Sequence, residues 1–532
     1  MTPVAESNAS MSLVIRLFLA VVLFLSSAGG LVVEIVAGRL IAPYVGMSLY
    51  TWTAIIAVVL AGLSAGHWIG GLMAGPETGW QSAMKRLASA LALAGASSLL
   101  ALVLLNDLAV GLLSSGLGQV TIVVCLTTAL FLLPSLFVGM VAPVVTKLSV
   151  EANPERTGAV IGTMYAVGTA GSIFGTLSAG YLFISWIGSS GTLIAVTVLY
   201  GTLALGCALL AGRRPALIAA VSIVVLGLPL AGTGIARGAF TSRCTVESNY
   251  FCIVIDDFAP YSGRPSNLMV LDNLVHSIND KADPSLLYSP YIHFVDELAR
   301  RRFPLDLPGV NFSAFFIGGG GYSLPRSWAA TVPGAHLVVA EIDPAVTAAA
   351  RDHLWLDSST PGLEIHHRDA RALLQSLPPE PRFDVIFGDA FHDISVPTHL
   401  VSREFHAEVA ARLRPQGFYV ANVVDGARNP RFLAALVRTL ALDFSDISVW
   451  REMGEGTGLG PDGRVTYEVV ASLSDVPEKT IHSAFGIRRS WQRIMVGDLM
   501  DRGEASPVVL TDDFAPVDRL LAPVLFSGVP TE

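Results

Sequence analysis

Seven apolar stretches before residue 235 constrain this chain more than any other feature: roughly 14–37, 49–75, 88–106, 119–142, 158–184, 188–212 and 215–232. Each is long enough, at about 20 residues, to cross a bilayer as a helix. The first is too long for a cleavable leader, and similar stretches follow it. The chain is 52% hydrophobic and 14% charged with a mean hydropathy of +0.58, and most of the apolar excess lies in this half. The expectation is an all-α polytopic membrane domain of about seven helices over residues 1–235. That makes the chain an integral multi-pass protein of a bacterial-type inner membrane, with the lipid bilayer as a partner. Small residues recur at four-residue spacing in Gly62-Gly66-Gly70, Gly158-Gly162 and Gly171-Gly175, giving faces on which helices pack backbone to backbone in lipid. Glu34, Arg39 and His67 are ionisable groups within or near the spans, so a transport path stands as the alternative to a packed anchor.

From about residue 240 the pattern changes. TVESNYFCIVIDD and SNLMVLDN read as strands, and DPSLLYSPYIHFVDELARR as a helix with apolar residues three and four apart. FSAFFIG, AHLVVAEID, LEIHHRD, FDVIFGDA and GFYVANVV then alternate with helical segments, which predicts a parallel sheet with helices on both faces. A ligand belongs over the carboxyl ends of such strands. The polar residues fall there: Gly318, Gly319, Gly320 and Gly321 end the first, Glu341 with Asp343 the second, Asp369 the third and Asp389 the fourth. The glycines let backbone approach a nucleotide, but no G-x-G-x-x-G fingerprint is complete and no P-loop lysine follows. A glycine turn and an acidic strand end without a phosphate cradle suit a nucleoside, with S-adenosylmethionine or its decarboxylated form as the candidate co-substrate and no bound prosthetic group. Glu341 can accept from both ribose hydroxyls, and Asp369, next to Ala370, from an adenine amino group. Asp389 can take a proton from an attacking amine, offset a sulfonium charge, or simply cap the next helix. His392, Asp393 and His399 crowd one loop, but their spacing matches no established metal pattern, and no metal is expected.

These residues resemble the spermidine synthases, or polyamine aminopropyltransferases, and more narrowly a membrane-fused branch of that family. The matching segments are ESNYFCIVI, MVLDNLVHS, GGGG, EIDP, RDARALL, FDVIFGDAFHDISVPTHLVSREF, GFYVANV and VVLTDDFAPVDRLL. In the first half they are SSAGGLVVEIVAGRLIAPYVG and GTMYAVGTAGSIFGTLSAGYL. The resemblance implies a small β subdomain with a helix over 236–306 and a Rossmann-like α/β domain of the S-adenosylmethionine-dependent transferase type, with a C-terminal extension, over 307–532. It also implies aminopropyl transfer to an amine, with Asp389 as the base. Departures cluster on the amine side. Gly321 stands where the family has an aspartate that grips the donor's propylamine, and Phe251 follows Tyr250 where the family has glutamine. His276 replaces another glutamine, Ser289 and Pro290 replace a His-Glu or Gln-Glu pair after Tyr288, and His392 takes the place of a second acid beside Asp393. Tyr250, His276, Tyr288, His392 and Asp393 are therefore the expected acceptor-side residues.

Two alternatives remain at this level: a methyltransferase, and a non-catalytic transporter or sensor whose globular domain binds a nucleoside or polyamine. A small amine or other small acceptor is the expected partner, and a homodimer is compatible with the pattern. The net charge of −9 and the lack of a basic cluster exclude a nucleic-acid partner. Orientation is in conflict. With seven spans, Arg16, Lys85, Arg86, Lys147, Arg156, Arg213 and Arg214 share one side, which puts the C-terminal half outside. An adenosyl donor made in the cytosol requires that half to be cytoplasmic, the side expected here, and a miscounted half-span over 106–118 would reconcile the two. Cys244 and Cys252 are either a disulfide or two buried thiols.

Overall fold

The computed structural model describes residues 12–75, 78–307, 310–380, 382–391, 395–453, 463–497, 499 and 508–526. The apolar half folds into helices α1 (Leu13–Val45), α2 (Leu49–Met73), α3 (Trp80–Leu113), α4 (Gln119–Gly139), α5 (Val141–Glu151), α6 (Thr157–Ser178), α7 (Ile184–Ala211) and α8 (Arg213–Ala236). By length and composition, six segments can cross a membrane, the longest being the 58 residues Pro154–Ala211. That segment breaks at Gly188 (φ 70°, ψ 172°), so two of the apolar stretches lie on it. The segment 106–118 holds no half-span. No proline interrupts it, and it prolongs α3 to Leu113 before Gly116 turns the chain at φ 73°. Trp68, Trp186, Leu217 and Val225 lie exposed on these helices, an apolar surface suited to lipid rather than water.

Two of the three glycine rows are helix contacts. A Cβ on Gly62 would stand 2.8 Å from the Leu132 carbonyl oxygen, and one on Gly70 2.6 Å from that of Met140. Gly66 lies tighter still against the Leu136 carbonyl, and Gly171 and Gly175 meet those of Phe24 and Ala28 in the same way. A Cβ on Gly158 or Gly162 meets nothing within 4 Å, so the third row packs on nothing among the described residues. Gly66→Leu must therefore push α2 off α4, at a cost of about 1–3 kcal/mol or more. The full-length variant is expected to melt several degrees lower in detergent, while Gly162→Leu melts like the parent. Equal melting of the two variants would remove this account of the packing.

The chain divides into two compact units, the first holding the apolar half up to Arg243 except Gly46–Leu49 and Gly116–Val120, and the second holding those two segments and the chain from Cys244. In the second, β1 (Val246–Glu247), β2 (Cys252–Asp257), β3 (Ser266–Leu271) and β4 (Leu274–Asp280) form an antiparallel sheet in that order, with α9 (Ala259–Ser262) between β2 and β3. Cys244 and Cys252 are joined as a disulfide. After α10 (Pro290–Arg302) come β5 (Ser313–Ile317), α11 (Ser323–Thr331), β6 (His336–Ala340), α12 (Pro344–His353), β7 (Leu363–His366), α13 (Ala370–Ser376) and β8 (Phe383–Gly388). They are followed by α14 (Arg403–Arg412), β9 (Leu413–Gly426), α15 (Arg431–Leu440), β10 (Asp446–Met453), β11 (Arg464–Ser472), β12 (Thr480–His482), β13 (Ser490–Ile494) and α16 (Val517–Phe526).

One sheet runs β12-β13-β10-β11-β9-β8-β5-β6-β7. The five strands from β7 to β9 are parallel, as their alternation with helices predicts. Every residue of β5 is buried, as expected of a strand covered on both faces, so SAFFI reads as an unbroken apolar run. The sheet is mixed rather than wholly parallel, because β11 inserts antiparallel between β9 and β10 and β13 and β12 extend that edge. Much of the C-terminal extension is thus part of the sheet.

Candidate functional site

The glycines that end β5 are held in a shape other residues resist. Gly318 (φ 95°) and Gly320 (φ 50°) occupy left-handed backbone, and a Cβ on Gly318 would stand 2.7 Å from the Asp389 carbonyl oxygen. The loop is thereby laid against the end of β8, with its amides turned to the acid that ends β6. Gly319 N–H donates to Glu341 Oε2 at 2.8 Å and Gly320 N–H at 3.4 Å, while Asp343 N–H donates to Oε1 at 2.8 Å. Glu341 is 5% exposed, and burial raises its pKa against the pull of those amides. Oε1 carries one amide and the Gly320 contact to Oε2 is long, so the carboxylate keeps acceptor capacity for a diol such as ribose.

Asp343, expected at the adenosyl site, has two partners within the protein. Its Oδ1 accepts from Ala345 N–H at 2.9 Å as the N-cap of α12, and its Oδ2 accepts from the Ser248 hydroxyl. Each oxygen thus has one partner inside the protein, and Asp343 acts as a cap and a tie to the small sheet. Asp369 caps α13 through Ala372 N–H at 2.9 Å, with Ala370 buried beside it, and its Oδ2 meets His399 Nε2 at 2.7 Å. Burial raises its pKa, but the Ala372 amide and the His399 ring outweigh this and hold the carboxyl below its ordinary value. Among the described residues no group of three or more His, Cys, Asp or Glu could hold a metal ion. His399 is a partner of Asp369.

Asp389 stands just past β8, beside the glycine loop. Its Oδ1 accepts from Asn422 Nδ2 at 2.8 Å, and the Tyr291 hydroxyl lies close by. Desolvation outweighs these two neighbours and pushes the carboxyl up to about 7. A cavity of about 380 Å³ opens next to it, lined by His276, Tyr291, Phe391, Asn422 and Arg464 among others. The Tyr291 hydroxyl donates to the His276 carbonyl at 2.9 Å, and burial lowers the His276 ring to about 4, so that ring is neutral at physiological pH.

Of the five acceptor-side residues expected, His276 lines this cavity. Tyr288 is turned toward Asp280, 3.4 Å away, and packs edge-on against Phe258, while Tyr250 lies against Phe251. His392 and Asp393 lie outside the described residues. Tyr291, Asn422 and Arg464 were not legible as site residues, although Asn422 is the one polar residue within the otherwise apolar run GFYVANVV. At Gly321 a side chain has no room, because its Cβ would collide with the Ser277 hydroxyl.

No protein-family profile matches the chain. Over 174 residues it is 30% identical to a polyamine aminopropyltransferase of Vibrio vulnificus (strain CMCP6), a stretch covering 32% of this chain and 54% of that one. The chain thus spans about half the length of this relative. A probable spermidine synthase from Corynebacterium glutamicum superposes with a TM-score of 0.42 and 19% identity, covering 51% of this chain and 96% of that one. For the spermidine synthase of Thermotoga maritima the TM-score is 0.31, with 22% identity over 40% of this chain and 67% of that one. Human methyltransferase-like protein 13 in complex with SAH gives 0.30 and 20% identity, over 44% and 93%. The C-terminal half of this chain is thus similar in part to a polyamine aminopropyltransferase, and it follows an N-terminal region with six candidate membrane spans.

Proposed function

We propose that the second unit transfers an aminopropyl group from decarboxylated S-adenosylmethionine to a small amine. The observation that carries this is Asp389, a carboxyl poised at about 7 beside both the glycine loop and an open cavity. Glu341 holds the ribose and Asp369 the adenine, which leaves Asp389 facing the reacting atoms. The acceptor nitrogen attacks the propyl carbon bonded to the sulfonium, and that carbon–sulfur bond breaks. Its electron pair stays on sulfur, releasing a neutral thioether, and the proton of the new ammonium passes to Asp389. A general base at that position is typically worth about 10²–10⁴-fold. Purified full-length protein, given the decarboxylated donor and a panel of amines, should yield the aminopropylated amine by mass spectrometry. No product from any amine would overturn the reading.

Methyl transfer from intact S-adenosylmethionine is the second reading, supported by Gly321, where the Ser277 hydroxyl fills the space a donor-gripping side chain would need. The intact donor in the same assay separates the two.

A cytosolic donor also requires the second unit to face the cytoplasm, whereas the Cys244–Cys252 disulfide suits an oxidising compartment. A reporter active only in the cytoplasm, fused after Glu532, is expected to be active. An inactive reporter would move the unit outside and leave nucleoside sensing as its function.

A further inference from the structure

A cavity of about 530 Å³ lies among α1, α2, α6 and the junction of α4 with α5. Seven polar side chains line it: Ser26, whose hydroxyl donates to the Leu23 carbonyl, and Ser27, His67, Thr146, Tyr165, Thr169 and Ser172. The six after Ser26 have no side-chain hydrogen-bond partner among the described residues. Elsewhere in this unit hydroxyls fold back on the carbonyl four residues earlier, as Ser98, Thr127, Ser135 and Thr163 do. Ser27 is 14 residues from the start of α1, about 21 Å along the axis and deep within a candidate span. Polar groups at such depth are costly unless something meets them. No Asp, Glu, Lys or Arg lines the space, so an ion would find no counter-charge there. The exposed Ile161 and Tyr165 stand at its edge, which opens it sideways to lipid.

We propose that this cavity binds an uncharged, lipid-soluble molecule whose hydroxyl head is hydrogen-bonded by His67 and the surrounding hydroxyls while its chain lies along the apolar wall. The volume suits a ligand of that size. The test uses full-length protein in nanodiscs, a diazirine-bearing hexadecanol as the probe and peptide mapping of the labelled sites. Labelling should concentrate on α1, α2 and α6. Hexadecanol should compete, while hexadecane and spermidine should not. His67→Leu, and Thr169→Val, which keeps the shape, should each cut labelling about tenfold, as expected for one lost hydrogen bond in a dry site. Equal competition by hexadecane, or labelling unchanged in Thr169→Val, would show a mere apolar groove and overturn the assignment. Competition by spermidine would overturn it in favour of a cation path.

A second inference comes from the sheet and rests on the reading of Asp389 as base. Gly388 pairs with Ala421, which sets Asp389 beside Asn422; Asn422 pairs with Glu468, and Glu468 with Trp450. These four side chains form one row across β8, β9, β11 and β10. Among the described residues Asn422 Oδ1 and Glu468 Oε2 are both buried with no partner, two acceptors on cross-strand neighbours that a shared proton would relieve. We infer that Glu468 is protonated and donates to Asn422 Oδ1, fixing the amide the way round that donates to Asp389. Burial, with Glu452 of β10 adding, pushes the Glu468 carboxyl well above its ordinary value. Asp389 itself is faced by Tyr291 of α10, His276 of β4 and Arg464 of β11.

Glu468 is thus a positioning residue. Glu468→Gln keeps a donor toward Asn422 and should keep wild-type turnover and pH profile. Glu468→Leu removes the donor and should lower kcat about tenfold, leave donor KM unchanged, and move the pH profile upward as Asp389 loses its amide. Equal damage from both variants, or none from either, would overturn the inference. Asp389→Asn in the same assay separates the two claims. Normal turnover there removes the base reading itself, while lost turnover there with an unmoved Glu468→Leu profile removes only this one.

Discussion

Asp389→Asn is expected to lower turnover about 10²–10⁴-fold while changing donor affinity little. Asparagine keeps the shape and the neighbours at Asn422 and Tyr291 but cannot take the acceptor's proton. The same carboxyl sets the pH dependence. Its folded pKa is about 7, raised chiefly by burial, and only the deprotonated form accepts a proton. Wild-type kcat/KM should therefore rise with pH through about 7 and then level off. A companion effect needs no turnover at all. A carboxyl whose folded pKa lies above its unfolded value supports stability below the unfolded pKa and loses that support as pH climbs through the folded one. Asp389→Asn should accordingly melt above wild type at pH 8, with the gap closing by about pH 4 as both forms become neutral. Normal turnover in the variant would demote Asp389 to a structural acid. Abolished donor binding would reassign it to supporting the sulfonium, which suits methyl transfer equally well.

Glu341→Ala is expected to remove adenosyl binding by about tenfold to a hundredfold, the usual loss of about 1.5–3 kcal/mol for a charged hydrogen-bonding group. The structure adds a second cost, since the amides of Gly319, Gly320 and Asp343 lose their common acceptor and the glycine loop loses its anchor. Calorimetry with methylthioadenosine on the full-length protein reads the first effect, and thermal melting reads the second. Asp343→Ala is the informative contrast. It removes a helix cap worth about 1 kcal/mol and should lower the melting temperature with adenosyl affinity nearly intact. A loss of affinity in Asp343→Ala as large as in Glu341→Ala would return Asp343 to the ligand set.

Much of the site was legible because strand-end chemistry is local. A glycine that must take φ above zero, and an acid directly after an apolar strand, are recognisable from a few neighbours, and Gly318, Gly320, Glu341 and Asp389 stand at those strand ends. Asp343 looked the same in sequence, two residues from Glu341. Its role was decided by Ser248, ninety-five positions away, whose hydroxyl takes up its second oxygen. The acceptor side was less legible still. Tyr291, Asn422 and Arg464 come from a helix and two strands far apart in the chain, and they share a cavity only because β11 inserts between β9 and β10.

In the membrane half the same division holds. Apolar stretches long enough to span a bilayer are a property of the chain alone, since lipid demands internal hydrogen bonding and an apolar surface whatever the neighbours. Glycine spacing alone marked three packing rows, but Gly158 and Gly162 meet nothing among the described residues, because which face of a helix finds a partner depends on the other helices. The sequence by itself determined the division into an apolar helical half and an α/β half, the parallel order of the central strands and the acids at their ends. The tertiary structure alone decided which acids are already occupied, which residues share the cavity beside Asp389, and where polar groups lie unpartnered among the helices. Periodicity and strand-end chemistry are set by neighbours in the chain, whereas hydrogen-bond partnership and burial are set by residues that only folding brings together.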